Sequence, residues 1–149
     1  MGHRPVTALV IAGALLLSAC SDDKEAVPAA CSQGPDVVRA ALQEAPRPVT
    51  IDGSPLSECI KDTSGGGDLQ EVGFTYIDVA SGLAPAATSE PNGKEALQLG
   101  YLVGAFEKSK AGAQGVGYEL GRRLHSELLR VDMRSPAFRR GQRAGRSGG

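Results

Sequence analysis

With 149 residues, 41% of them hydrophobic, 4% aromatic and none Trp, the chain is sized for one domain with extended ends and too short for two independent cores. The core has to be built from Leu, Val, Ile and Ala, while twenty Gly and nine Pro add backbone entropy that folding must remove, so a covalent constraint would help stability. The formal charge of -1 hides a division: Ser21 to Gly121 carries seven Lys or Arg against fifteen Asp or Glu, whereas from Arg122 onward eight Arg face two acids, which separates an acidic body from a basic end.

The chain begins Met1-Gly2-His3-Arg4, continues with a twelve-position apolar run from Val6 to Leu17, and reaches Leu17-Ser18-Ala19-Cys20. This has the n-region, h-region and small-residue cleavage site of a secretory signal. A permanent membrane anchor would need about 20 apolar helical residues, so cleavage is expected instead. Leu17-Ser18-Ala19-Cys20 resembles the lipobox of bacterial lipoproteins, and the chain is similar to small members of that class. The resemblance covers the first twenty or so residues. It implies residues 1–19 as signal peptide, acylation of Cys20 before the preceding peptide is removed, and attachment at the extracytoplasmic face of the cell membrane. Two buried acyl chains at ~0.8 kcal/mol per CH₂ suffice for stable attachment. It carries over no activity.

Residues 20–30 then form a lipidated, polar and acidic tether. Removing Cys20 to an acyl linkage leaves Cys31 and Cys59 as an even pair in an oxidising compartment, so these two are expected to form a disulfide. Between them, Pro35-Asp36 with Val37, Val38, Ala41 and Leu42 at helical spacing predicts a short helix stopped by Ala45-Pro46-Arg47-Pro48. Val49-Thr50-Ile51 is extended. Asp52-Gly53-Ser54-Pro55 has turn chemistry, with Ser54 suited to cap a short helix through Cys59 and Ile60.

A flexible break at Thr63 to Gly67 precedes Asp68 and Glu71, spaced as a capping box. Leu69, Val72, Gly73, Tyr76, Ile77 and Ala80 then fall at offsets 0, 3, 4, 7, 8 and 11, a helical stripe. Gly82 is placed to end that helix, and Leu83 to Gly93, rich in Ala, Pro and Ser, is expected as loop. Leu99, Leu102, Val103 and Phe106 predict one further helix, and Val116, Leu120, Leu124, Leu128 and Val131 another, joined by a hairpin in preference to running on as one kinked helix. Ala96, Gly100 and Gly104 recur every four residues, as do Ala113, Gly117 and Gly121. Each set is a ridge without side-chain bulk, and two such ridges set against each other would let helix axes approach closely. The expected fold is all-α: a small helical bundle over residues 31–133 with one disulfide.

The basic end, residues 134–149, reads either as a flexible tail or as a short helix opened by Ser135-Pro136. Its Arg134, Arg139, Arg140, Arg143 and Arg146, around Phe138, suit an anionic envelope polymer or lipid headgroups, or pairing with the acidic body. Nucleic acid is disfavoured by location. His125 is the one His beyond the signal, and no zinc spacing, phosphate-cradling loop or nucleophile elbow occurs, so neither a metal nor a cofactor is expected. The sequence therefore leads to a binding or envelope-associated module. The competing reading is an extracytoplasmic enzyme whose site assembles from scattered carboxylates such as Asp68, Glu71 and Asp78 with His125.

Overall fold

A computed structural model describes residues 29–61, 67–110 and 115–149. The signal peptide, Cys20, most of the tether, the Gly65-Gly66 pair and Ala113 lie outside the described residues. The fold is a helical bundle: α1 (Pro35–Ala41), a two-residue hairpin of β1 (Thr50–Ile51) and β2 (Ser54–Pro55), α2 (Leu56–Lys61), α3 (Gly67–Ser89), α4 (Lys94–Ser109), α5 (Gly115–Glu127) and α6 (Pro136–Gly148).

The disulfide is formed. Cys31 and Cys59 are bonded with a Cα–Cα distance of 5.4 Å, and both are buried. The hairpin turns on Asp52 at φ 46° and Gly53 at φ 85°, both left-handed, as a two-residue turn matched to strand twist requires. Ser54 sits in β2 rather than capping α2, since the turn draws Ile51 and Ser54 into register.

Every residue of α4 from Gln98 to Phe106 is buried, the mark of a helix surrounded by others. It packs against α2, α3 and α6. Polar contacts tie the N-terminal region to it: Gln98 Nε2 donates to the Leu42 carbonyl at 3.1 Å, and the Val49 N–H donates to the Tyr101 hydroxyl at 2.8 Å. Tyr76 in α3 donates its hydroxyl to the Leu56 carbonyl at 2.8 Å. Burial pushes both phenols above their ordinary ionisation range, so each stays a neutral hydrogen-bonding group. Among the described residues no buried side-chain polar atom lacks a partner.

The expected loop from Leu83 to Gly93 is for the most part helix. α3 runs through Gly82 and Pro85 to Ser89, because Leu83, Ala84 and Ala87 continue the buried stripe while Pro85 faces solvent. Gly82 does not end the helix; a β-carbon there would come within 2.9 Å of the Arg39 guanidinium. Arg39 instead crosses α3 at this place, donating through Nη2 to both the Asp78 carbonyl and its carboxylate at 3.2 Å. Beyond α4, Leu120 and Leu124 of α5 and Leu128 just past its end form the buried stripe that their spacing predicts, while the side chain of Val116 lies outside the described residues. Gly73 of α3 lies against Leu120, with room for no more than a displaced contact at 3.3 Å.

The largest departure is at the basic end. Residues 136–148 form the thirteen-residue helix α6, and it belongs to the domain: Phe138, Gly141 and Gly145 are buried against α4. The bundle therefore extends past residue 133, and of the two expected forms of this end the helix is the one present.

Candidate functional site

Helix α6 starts at a built N-terminus. The Ser135 hydroxyl accepts from the Phe138 N–H at 3.2 Å, and Pro136 occupies the first turn, where a missing N–H has no cost. Phe138 then fills the core beside α4.

Along the next two turns the helices meet backbone to backbone. A β-carbon at Gly100 would collide with the Phe138 carbonyl and at Gly104 with that of Gln142; one at Gly141 would collide with the Leu97 carbonyl and at Gly145 with that of Tyr101. The positions advance together on both helices, so α4 and α6 run parallel. Spacing of four puts each pair of glycines on one ridge, and the absence of Cβ lets carbonyls approach the opposite Cα–H groups. The glycine penalty of about 1 kcal/mol per interior helix position is offset only while these backbones touch.

The small-residue ridge on α4 thus has a different partner from the expected one. Gly121 of α5 seats the Phe106 ring, at 3.2 Å from a built β-carbon, rather than meeting Gly100 or Gly104. The true counterpart was written in the chain as Ala137, Gly141 and Gly145, the same period of four. Counting arginines conceals it.

Because the glycine side is seated on α4, the arginines are forced outward. Arg134, Arg139, Arg140, Arg143 and Arg146 are all exposed. Arg146 Nε donates to Glu107 of α4, which also accepts from Gln142 at 2.9 Å; this pairing holds the Arg146 guanidinium above its ordinary range. Lys108 Nζ donates to the Ser147 carbonyl at 3.3 Å, satisfying one free carbonyl near the helix end. Among the described residues no carboxylate lies within ion-pairing distance of Arg134, Arg139, Arg140 or Arg143. Self-pairing with the acidic body thus accounts for Arg146 alone of the five.

Among the described residues, those of the enzyme alternative do not gather at one site. His125 is exposed on α5, Asp78 is engaged by Arg39, Glu71 is exposed on α3, and the Asp68 side chain lies outside what is described. Glu119, also on α5, is held below the usual carboxylate range by hydrogen bonds from Arg122 and Arg123. Among the open grooves that the described residues line are two that bear on this alternative. One of about 530 Å³ lies between α3 and α5, where Ser81, Pro85 and Thr88 face Glu127, Leu129 and Arg130. The other, about 410 Å³, lies where α4 and α6 begin, with Lys94 and Arg140 at its rim. Neither is lined by His125 or by two carboxylates. Among the described residues no group of three potential ligands could hold a metal ion, and no helix is long and apolar enough to cross a membrane.

Comparison with protein-family models, with curated proteins and with solved structures finds no match for the chain.

Proposed function

We infer that this chain is a lipid-anchored, extracytoplasmic binding module that meets an anionic partner of the cell envelope, a polymer or lipid headgroups, through α6. The observation that carries the binding role is an arginine-bearing helix face fixed to the core by its opposite, glycine side, with Arg139, Arg140 and Arg143 lacking a carboxylate partner among the described residues. Arginines held on a rigid helix lose less freedom on binding than the same residues in a loose tail, so charge converts to affinity more efficiently.

The anchor rests on the Leu17 to Cys20 motif behind its apolar run. The disulfide supports it, because a Cys31–Cys59 bond suits an oxidising compartment and assigns a role to each of the three cysteines. Intact-mass measurement of protein extracted from its native membrane tests this directly. The expected species starts at Cys20 and carries the added mass of fatty acyl chains, and Cys20→Ser is expected to accumulate uncleaved chain that retains Met1. Native material with Met1 in place, or with no fatty chain, would refute the anchor.

A further inference from the structure

We propose that the exposed side of α6 is a docking face for the phosphate headgroups of anionic phospholipids in the very leaflet that holds the acyl anchor, so that the domain lies down on its own membrane along this helix. The proposal deepens the reading above and takes the anchor from it.

Three features of the molecule lead there. At 3.6 residues per turn, Arg139, Arg143 and Arg146 fall within an arc of about 60° and span about 10 Å of helix, with Arg140 flanking them. The row lies on the exposed face of the helix, and Arg140 alone of the four borders the groove at the start of α6; an exposed face of this kind can meet a plane of headgroups. All four side chains are exposed, and among the described residues Arg146 alone is engaged, by Glu107.

The place where the chain enters the domain is tied through α2 to the end of the same helix. Cys31 is bonded to Cys59 in α2, and Ser57, two residues earlier, donates its hydroxyl to the Gly149 carbonyl just past α6. Gly148 also abuts Pro48. Ala30 is the tenth residue after Cys20, a covalent reach of at most about 36 Å.

An anchor so close confines the arginine row to a thin layer above the leaflet, where headgroups are at millimolar effective concentration or above. Each basic residue near an anionic surface multiplies partition by roughly fivefold. A polymer would have to be captured without that advantage. The lipid is therefore the occupant that a row of three or four arginines retains.

The acylated protein, reconstituted into phosphatidylcholine vesicles with or without phosphatidylglycerol, provides the test. Arginine reactivity toward phenylglyoxal is read residue by residue by mass spectrometry. Arg139, Arg140 and Arg143 should be modified at least about fivefold more slowly when phosphatidylglycerol is present, with the protection lost at high salt. Arg123 on α5 serves as the internal reference and should not change. In the variant Arg139→Glu/Arg143→Glu, Arg140 should return to its phosphatidylcholine rate while the melting temperature stays that of the parent.

Equal rates in the two vesicle types would overturn the proposal. So would protection by a soluble anionic polymer over phosphatidylcholine together with none from phosphatidylglycerol. Protein found to carry no acyl chain is mixed with the same vesicles at the same lipid concentration and read in the same way. Loss of the anchor then counts against the earlier reading, while the lipid dependence of Arg139, Arg140 and Arg143 still decides this one.

Discussion

Replacing Gly141 by Leu should lower the melting temperature of the domain by about 15 °C, and Gly100→Leu should do the same from the other side of the interface. Ordinary overpacking in a core costs about 1–3 kcal/mol because side chains can shift. Here the obstacle is main chain: the new β-carbon would meet the Leu97 carbonyl at Gly141, or the Phe138 carbonyl at Gly100. Either helix α6 leaves α4 or both axes move apart along two turns, exposing Phe138 and Tyr101 in the process. A loss of about 4 kcal/mol or more follows, the range reserved for named structural faults, and for a domain of this size that corresponds to the stated shift. Gly148→Ala is the control, since a β-carbon there would meet Pro48 at an ordinary 3.5 Å; it should stay within about 0.5 kcal/mol of the parent. Thermal denaturation of the three variants measures the contrast. A Gly141→Leu protein as stable as Gly148→Ala would mean that α6 is not seated on α4.

Loss of the disulfide ranks second. Cys31 and Cys59 are 28 residues apart, for which closing the loop in the unfolded chain gives about 3.5 kcal/mol. Total stabilities of domains this size run about 5–15 kcal/mol, so Cys31→Ala/Cys59→Ala should remove a large part of the whole. Alanine is the suitable replacement because both positions are buried in the apolar cluster with Ala30, Leu56 and Ile60, where a hydroxyl would add its own desolvation cost. The effect should also spread. The bond joins the start of the domain to α2, whose Ser57 reaches the end of α6, so protection of α6 amides from hydrogen exchange should fall along with global stability. Urea denaturation of the double variant against the parent measures the first effect. A difference under about 1 kcal/mol would contradict the chain-entropy account.

Much of this fold was legible because the determining signals are local. The 3.6-residue spacing of Leu120, Leu124 and Leu128, and of Val72, Tyr76 and Ala80, survives into buried stripes, and Asp52-Gly53 makes the tight turn its chemistry suits. The misreadings share one cause, weighing a residue by its average habit. Gly82 and Pro85 are helix breakers in isolation, but α3 continues because Leu83, Ala84 and Ala87 still have core to cover and because Arg39 occupies the space that Gly82 leaves.

The same applies to the candidate site. Its arginines were evident from composition; their presentation was not. Arg139 and Arg143 are directed outward by Gly141 and Gly145, whose importance appears only once Gly100 and Gly104 are seen to need a partner without side chains. Two ridges of period four, separated by some forty residues in sequence, carry no local sign that they belong together. Ala113, Gly117 and Gly121, nearer in the chain and equally periodic, were the more obvious match.

That α6 is a docked part of the domain, which turns its arginines outward as a fixed row, is tested most directly by trypsin. The protease cuts after Arg139, Arg140, Arg143 and Arg146 wherever the backbone is free to unfold locally into its active site. Native protein should keep residues 136–149 attached for as long as the rest of the domain survives, with cleavage at these four positions appearing only as global unfolding sets in. Early release of peptides from this end, while the remainder of the domain stays intact, would contradict the account.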